Sequence, residues 1–135
     1  MARKYAENTV VPMERSTAEI ERLLAAHGGT HFGMMKYPDR IELGFINNGL
    51  RMRIVVDTPN IDDADRRRRE NNRRFRALLL VVKAKLIGIE DGIVTFEDEF
   101  LPYIVMADGE TIGMCLRKQL PEIAVGKSVP LLGMA

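Results

Sequence analysis

The sequence predicts an α+β fold that runs as a short helix, a three-stranded antiparallel meander, a long amphipathic helix packed on the sheet, and a helical C-terminal segment. Apolar and polar residues alternate on both sides of Asn47-Asn48-Gly49, which is a turn sequence typical of a hairpin. A longer apolar stripe then repeats at helical spacing after residue 63. At 135 residues the chain is predicted to be one domain, 1–135, with an N-terminal arm (1–15), a core (16–92) and the helical C-terminal segment (93–135).

The first helix is predicted from a capping box and a glycine exit. Ser16-Thr17-Ala18-Glu19 has the pattern in which the serine and the glutamate each satisfy a free backbone N–H, and Gly28-Gly29 permits a left-handed end. Strands are predicted over residues 30–37, 41–45 and 50–56. On the last of these, Arg51 and Arg53 share the face opposite the apolar residues.

The long helix is predicted to run from about Asp63 to Gly88 or Gly92. Its apolar stripe consists of Phe75, Leu78, Leu79, Val82, Leu86 and Ile89. On the same helical wheel Arg68 points into the apolar sector, whereas the other arginines lie outside it.

Shorter signals predict the secondary structure of the last third of the chain. A helix is expected to begin at Thr95 and to be limited by Pro102, followed by an extended piece over residues 104–106. Thr111 is expected to cap a helix over residues 112–120 that Pro121 stops. The apolar tail, residues 129–135, is expected to lie against the body of the domain.

Composition bounds the class of protein. Twenty Lys and Arg residues face nineteen Asp and Glu residues, so no global charge field directs the chain to polyanions or membranes. No apolar run approaches the roughly 18 residues of a membrane span, and the N-terminus lacks the apolar core of a secretory signal. A single cysteine excludes an internal disulfide. We therefore expect a soluble, cytoplasmic protein with no membrane partner.

The most specific feature of the sequence is a cluster of arginines. Seven of the eleven positions from 66 to 76 are arginine, and Glu70 is the only acid among them. Like charges at this spacing disfavour a helix, so an anionic partner is expected: nucleic acid phosphates, an acidic protein surface, or acidic residues of this chain or a copy. Plain solvation is the remaining interpretation. The predicted contact residues are Arg66, Arg67, Arg69, Arg73, Arg74 and Arg76, with Arg51 and Arg53 as outer contacts that equally suit a solvated sheet face.

No catalytic, cofactor or metal residue is predicted. Gly28-Gly29 separates His27 from His31, and His27 is expected to lie at the C-terminal end of the first helix. Cys115 lacks a nucleophile signature, and adjacent carboxylates at 97–99 fan around a helix. Phosphate loops, G-x-S-x-G and H-E-x-x-H motifs are absent from the sequence. The protein is therefore predicted not to be an enzyme.

Residues 1–9 (MARKYAENT), 73–86 (RRFRALLLVVKAKL) and 92–97 (GIVTFE) carry a family likeness. The chain resembles a family of small phage and prophage proteins that has no assigned activity, which implies a mobile element inside a bacterial host cell. Its predicted architecture is also similar to the double-stranded RNA-binding domain, although the loop at residues 37–40 lacks that family's motif. The same order of elements suits single-strand annealing proteins.

Together these observations predict a non-enzymatic phage-type accessory protein that binds DNA or RNA through an arginine-rich helix face. The alternative is a small inhibitor of a bacterial defence system that contacts an acidic surface of a host protein. A homo-oligomer in which arginines meet an acidic face of a copy is the third possibility. Salt dependence separates phosphate binding from a packed protein interface.

Overall fold

The structure is a computed structural model that describes residues 11–129. Along the chain the elements are α1 (Met13–Ala25), β1 (Thr30–Lys36), β2 (Arg40–Asn47), β3 (Leu50–Asp57), α2 (Ala64–Glu90), α3 (Phe96–Phe100), a 3₁₀ turn (Leu101–Tyr103) and α4 (Ile112–Ala124). The strands form one antiparallel sheet in the order β1-β2-β3. The predicted α+β class and the long helix after the meander are confirmed.

The alternating pattern sorts the side chains of the sheet onto two faces. Leu43 of β2 lies opposite Met34 of β1 and Ile54 of β3, so the three share one apolar face. The β2–β3 hairpin turns at Asn48 and Gly49, which have φ angles of +51° and +77°. Positive φ at both central positions is what a type I′ turn requires, and the predicted hairpin is confirmed.

Two helices cover the apolar face of the sheet. The core contains Ile20 and Leu24 from α1, and Phe100 of α3 is also fully buried. The predicted stripe of α2 enters the core in full, with four residues buried and two partly buried: Phe75, Leu79, Val82 and Leu86, and then Leu78 and Ile89. The helical period in the sequence therefore predicted the packing face of α2 correctly.

The predicted start of α1 is wrong. The helix begins at Met13, three residues before the supposed capping box, and the N–H of Met13 donates to the side-chain oxygen of Asn72 on α2 at 2.9 Å. Ser16 is buried instead of capping, because it lies on the side of α1 that faces α2. The arm predicted over residues 1–15 is therefore too long at its C-terminal end, and residues 1–10 lie outside the described part.

Helix α2 begins at the predicted cap and ends between the two predicted glycines. The side chain of Asp63 accepts a hydrogen bond from the N–H of Arg66 at 3.1 Å and so caps the helix. The helix ends at Glu90, between the two glycines proposed as its limit, and Gly92 has a φ of +73°.

The C-terminal segment extends the sheet as well as adding helices. The predicted extended piece pairs with the free edge of β3, where Ile104 bridges Met52 and the N–H of Val105 donates to the carbonyl of Arg51 at 2.8 Å. Thr111 caps α4 by accepting from the N–H of Met114 at 3.1 Å, as predicted.

The predicted stop of α4 at Pro121 is wrong, because the helix continues to Ala124. Proline removes one backbone N–H from a helix, and here that loss falls within the last turn, where few hydrogen bonds remain to be disturbed. The predicted packing of the tail concerns residues 129–135, of which 130–135 lie outside the described residues.

Candidate functional site

The arginine segment, residues 66–76 of α2, begins well before the helix meets the core. The first buried residue of α2 is Phe75, and residues 64–74 contribute no buried side chain. At 1.5 Å per residue these eleven positions span about 16 Å of helix. Arg68 shows the consequence: the wheel places it in the apolar sector, yet its side chain is 70% exposed because it lies before the part of α2 that packs on the core.

Glu70 pairs with Arg73 and Arg74, the two arginines that come just before the buried Phe75. Arg73 donates to this carboxylate through both Nε and a terminal nitrogen, and Arg74 Nε donates to it at 3.1 Å. The hydrogen bond from Arg73, followed by that from Arg74, lowers the pKa of Glu70 from 4.5 to about 2. Arg74 also donates to the carbonyl of Asp57 at 2.8 Å and so ties α2 to the end of β3. These two arginines are held by the chain itself.

Two further arginines have neighbours near the start of α2. Arg67 Nε donates to the carbonyl of Ile61 at 2.8 Å, which fastens the preceding loop to the first turn. Arg68 pairs with Asp65 at 3.2 Å, but both side chains are largely exposed. An exposed pair of this kind contributes little and exchanges readily for another partner.

Arg66 and Arg69 are the exposed cations of the arginine segment that stay unpaired. Within residues 11–129 neither side chain makes a hydrogen bond or an ion pair. They lie three residues apart and therefore on neighbouring parts of one helix face. The pKa of Asp63 is lowered, chiefly by the hydrogen bond from the backbone N–H of Arg66. The positive charges of Arg69 and Arg66 lower this pKa by smaller amounts.

Arg76 lies at a different place, in a pocket of about 290 Å³ between α1 and α2. Arg15 and Lys83 line this pocket beside it, together with Glu19, whose carboxylate is 3.3 Å from Lys83 Nζ. The sequence interpretation missed Lys83, although Arg69, Arg76 and Lys83 follow one another at intervals of seven and so form a slowly drifting stripe. No sequence signal indicates Arg15, which only the packing of α1 on α2 brings there.

Arg51 and Arg53 lie on the other face of the sheet. The apolar face points to the helices, so the sheet separates both residues from the arginine segment. They line a shallow groove of about 450 Å³ with the paired glycines Gly33 and Gly44. Arg53 donates to the carbonyl of Gly109 at 2.6 Å and thereby holds the turn before α4. Arg51 and Arg53, the predicted outer contacts, therefore do not share a surface with the arginine segment of α2.

The histidines and carboxylates occupy separate local settings. His27 Nδ1 is 3.0 Å from the carbonyl of Leu23 near the C-terminal end of α1, and its Nε2 is 3.2 Å from Glu90. Glu99 pairs with Lys85 at 3.2 Å, and Cys115 is buried in α4. Across residues 11–129, no group of three or more His, Cys, Asp or Glu side chains is placed to hold a metal ion.

No helix in the described part of the chain is both long enough and apolar enough to cross a membrane. The resemblances to phage proteins and to double-stranded RNA-binding domains stay predictions from sequence, since comparison of the chain with family models, curated proteins and solved structures finds no match.

Proposed function

We propose that this chain is a non-enzymatic nucleic-acid-binding protein of the phage accessory type, and that the arginine segment contacts the phosphate backbone. The observation that carries the proposal is the state of Arg66 and Arg69, which are exposed and lack a hydrogen-bonding partner among the described residues. They stand on helical turns that make no contribution to the core.

The fold accounts for only part of this density of arginines. Arg67, Arg73 and Arg74 hold neighbouring groups, whereas the side chains of Arg66 and Arg69 hold none among the described residues. No residue from 64 to 74 is fully buried, so apolar packing does not fix their identity. Like charges three and four residues apart cost a helix a few tenths of a kcal/mol per pair. Phosphates would relieve that repulsion, because arginine forms paired hydrogen bonds with phosphate oxygens and releases the counterions of the polymer.

The contacts of the predicted arginines rank them by how available each is to bind phosphate. Arg66 and Arg69 are the direct phosphate ligands, and Arg67 and Arg68 lie beside them on the same exposed turns. Arg73 and Arg74 act by holding Glu70, which keeps a carboxylate away from the binding face.

The test is a fluorescence-anisotropy titration against labelled single-stranded DNA, double-stranded DNA and double-stranded RNA at several salt concentrations. An Arg66→Ala/Arg69→Ala variant is expected to bind at least about tenfold more weakly at low salt, since a hydrogen bond to a charged group contributes about 1.5–3 kcal/mol. The slope of log K against log salt should fall by about two, one for each lost phosphate contact.

A matched control removes the same charge elsewhere. Lys36 and Lys127 are exposed and lie outside α2, so Lys36→Ala/Lys127→Ala should leave affinity nearly unchanged. Equal losses in both variants would mean that net charge alone drives binding, and no binding by the native protein at low salt would overturn the proposal. In that case an acidic protein surface becomes the partner to test, by pull-down from a bacterial lysate.

A further inference from the structure

The pocket between α1 and α2 combines a small volume with a strongly polar lining. It holds about 290 Å³, near the lower limit of roughly 300 Å³ for small-molecule sites. Its lining residues are Val11, Arg15, Ser16 and Glu19 from the N-terminal side, and Arg76 and Lys83 from α2.

Ser16 provides an unsatisfied hydrogen-bonding group at this pocket. The residue is 1% exposed, and its hydroxyl oxygen has no hydrogen-bond partner among residues 11–129. A buried hydroxyl without a partner is costly, and most such groups in proteins are paired. Because Ser16 lines the pocket, rotation of its side chain about χ1 would present the hydroxyl to a ligand oxygen, which would supply the missing acceptor.

The charges around Ser16 favour an anion. Arg15, Arg76 and Lys83 are cationic, and Glu19 is the single carboxylate of the lining. Lys83 lies 3.3 Å from that carboxylate and Arg22 lies 3.6 Å from it, outside the pocket lining. The excess positive charge matches a phosphomonoester, which carries roughly −1.5 to −2 charges at pH 7.

We propose that this pocket binds the phosphate group of a phosphomonoester, with Ser16 donating its hydroxyl hydrogen and Arg15, Arg76 and Lys83 supplying the charge. Glu19 opposes binding and sets its strength, because the phosphate must compete with this carboxylate for Lys83. The site shares Arg76 with the arginine segment but does not depend on the proposed nucleic-acid binding. The same chemistry is offered by a free nucleotide and by the 5′-phosphate end of a nucleic acid strand.

The first experiment is calorimetric titration of the full chain with adenosine 5′-monophosphate, inorganic phosphate and adenosine at low salt. Binding of the two phosphates without binding of adenosine is the expected result. Absence of binding by both phosphates, or equal binding of adenosine, would overturn the inference. A 5′-phosphorylated and a 5′-hydroxyl oligonucleotide then identify the source: a preference for the former indicates a strand end, and equal binding indicates a free phosphomonoester.

Two substitutions in the pocket give opposite results that a merely structural role would not produce. Ser16→Ala should weaken binding of adenosine 5′-monophosphate about tenfold, because a hydrogen bond to a charged ligand is lost, while Tm stays unchanged or rises. Glu19→Gln should tighten binding. Unchanged affinity in Ser16→Ala, or weaker binding in Glu19→Gln, would contradict the assignment.

The phosphomonoester site and the proposed nucleic-acid binding can be refuted independently of each other. The Arg66→Ala/Arg69→Ala variant should retain full binding of adenosine 5′-monophosphate, since neither residue lines the pocket. Lys36→Ala serves as the control for loss of a single positive charge away from both sites. If the double variant lost the mononucleotide as well, the pocket would not be a site of its own.

Discussion

Replacement of Glu70 by glutamine is expected to lower the free energy of unfolding by about 1–2 kcal/mol at pH 7. The lowering of the Glu70 pKa from 4.5 to about 2 corresponds to at most about 3.5 kcal/mol of interaction with Arg73 and Arg74. The Glu70 side chain is 26% exposed and that of Arg74 is 36% exposed, so screening by water reduces this value to the smaller range.

The effect should depend on pH in a defined direction. Because the pKa of Glu70 is lower in the folded chain, the unfolded chain binds more protons between pH 4.5 and about 2. The stabilisation is therefore complete above pH 4.5 and is lost as the pH falls toward about 2. Urea unfolding of the native chain and of Glu70→Gln should give curves that differ at pH 7 and converge near pH 2.

This stretch of α2 should unfold together with the rest of the domain. Asn72, between Glu70 and the core, accepts the hydrogen bond from the first N–H of α1. Glu97→Gln is the control, because Glu97 is exposed and makes no ion pair among the described residues. A Glu70→Gln deficit that is absent at pH 7, or one that persists unchanged at pH 2, would refute the reasoning.

Three further predictions concern nucleic-acid binding and the stability of the fold. Glu70→Gln should bind nucleic acid more tightly, because it removes the one carboxylate of the arginine segment, which repels phosphate and holds Arg74. Unchanged anisotropy curves would contradict the ranking of the arginines. Asn72→Ala should destabilise the protein by about 1 kcal/mol in urea unfolding, as loss of a helix cap does, whereas Ser16→Ala should not. If Ser16→Ala were the more destabilising of the two, the predicted capping box at Ser16 would be correct after all. Phe100→Ala should cost about 3–5 kcal/mol, since the side chain is fully buried, and a Tm shift of only a degree or two would place it outside the core.

The fold was predictable where local chemistry decides it. The alternation around Leu43 and Ile54 sets which face of the sheet is buried, and the turn at Asn48-Gly49 fixes their register through positive φ. The start of α1 was not predictable in this way. Its cap comes from Asn72, 59 positions along the chain, and a serine three residues before a glutamate has the same pattern whether it caps a helix or packs inside one.

The candidate site was predictable in composition but not in arrangement. A count of arginines finds the arginine segment, yet it treats Arg73 and Arg66 alike, although one is paired with Glu70 and the other is not. The pocket beside Arg76 depends on how α1 packs against α2, so Arg15 joins it without any local signal. Strand alternation placed Arg51 on the outer face, and only the helix packing showed that this face is remote from α2.

The division of the arginine segment at Glu70 follows from the distance of each arginine to the core. Arg73 lies two residues before Phe75 and its side chain is only 14% exposed, so its charge needs a nearby acid to offset the loss of water. Arg66 and Arg69 precede Phe75 by about 2.5 and about 1.7 turns, and their exposed guanidinium groups need no acid because water solvates them. The single glutamate of the segment is thus engaged where burial requires it, and Arg66 and Arg69, to which we assign the proposed phosphate contacts, are arginines whose side chains no other described residue engages.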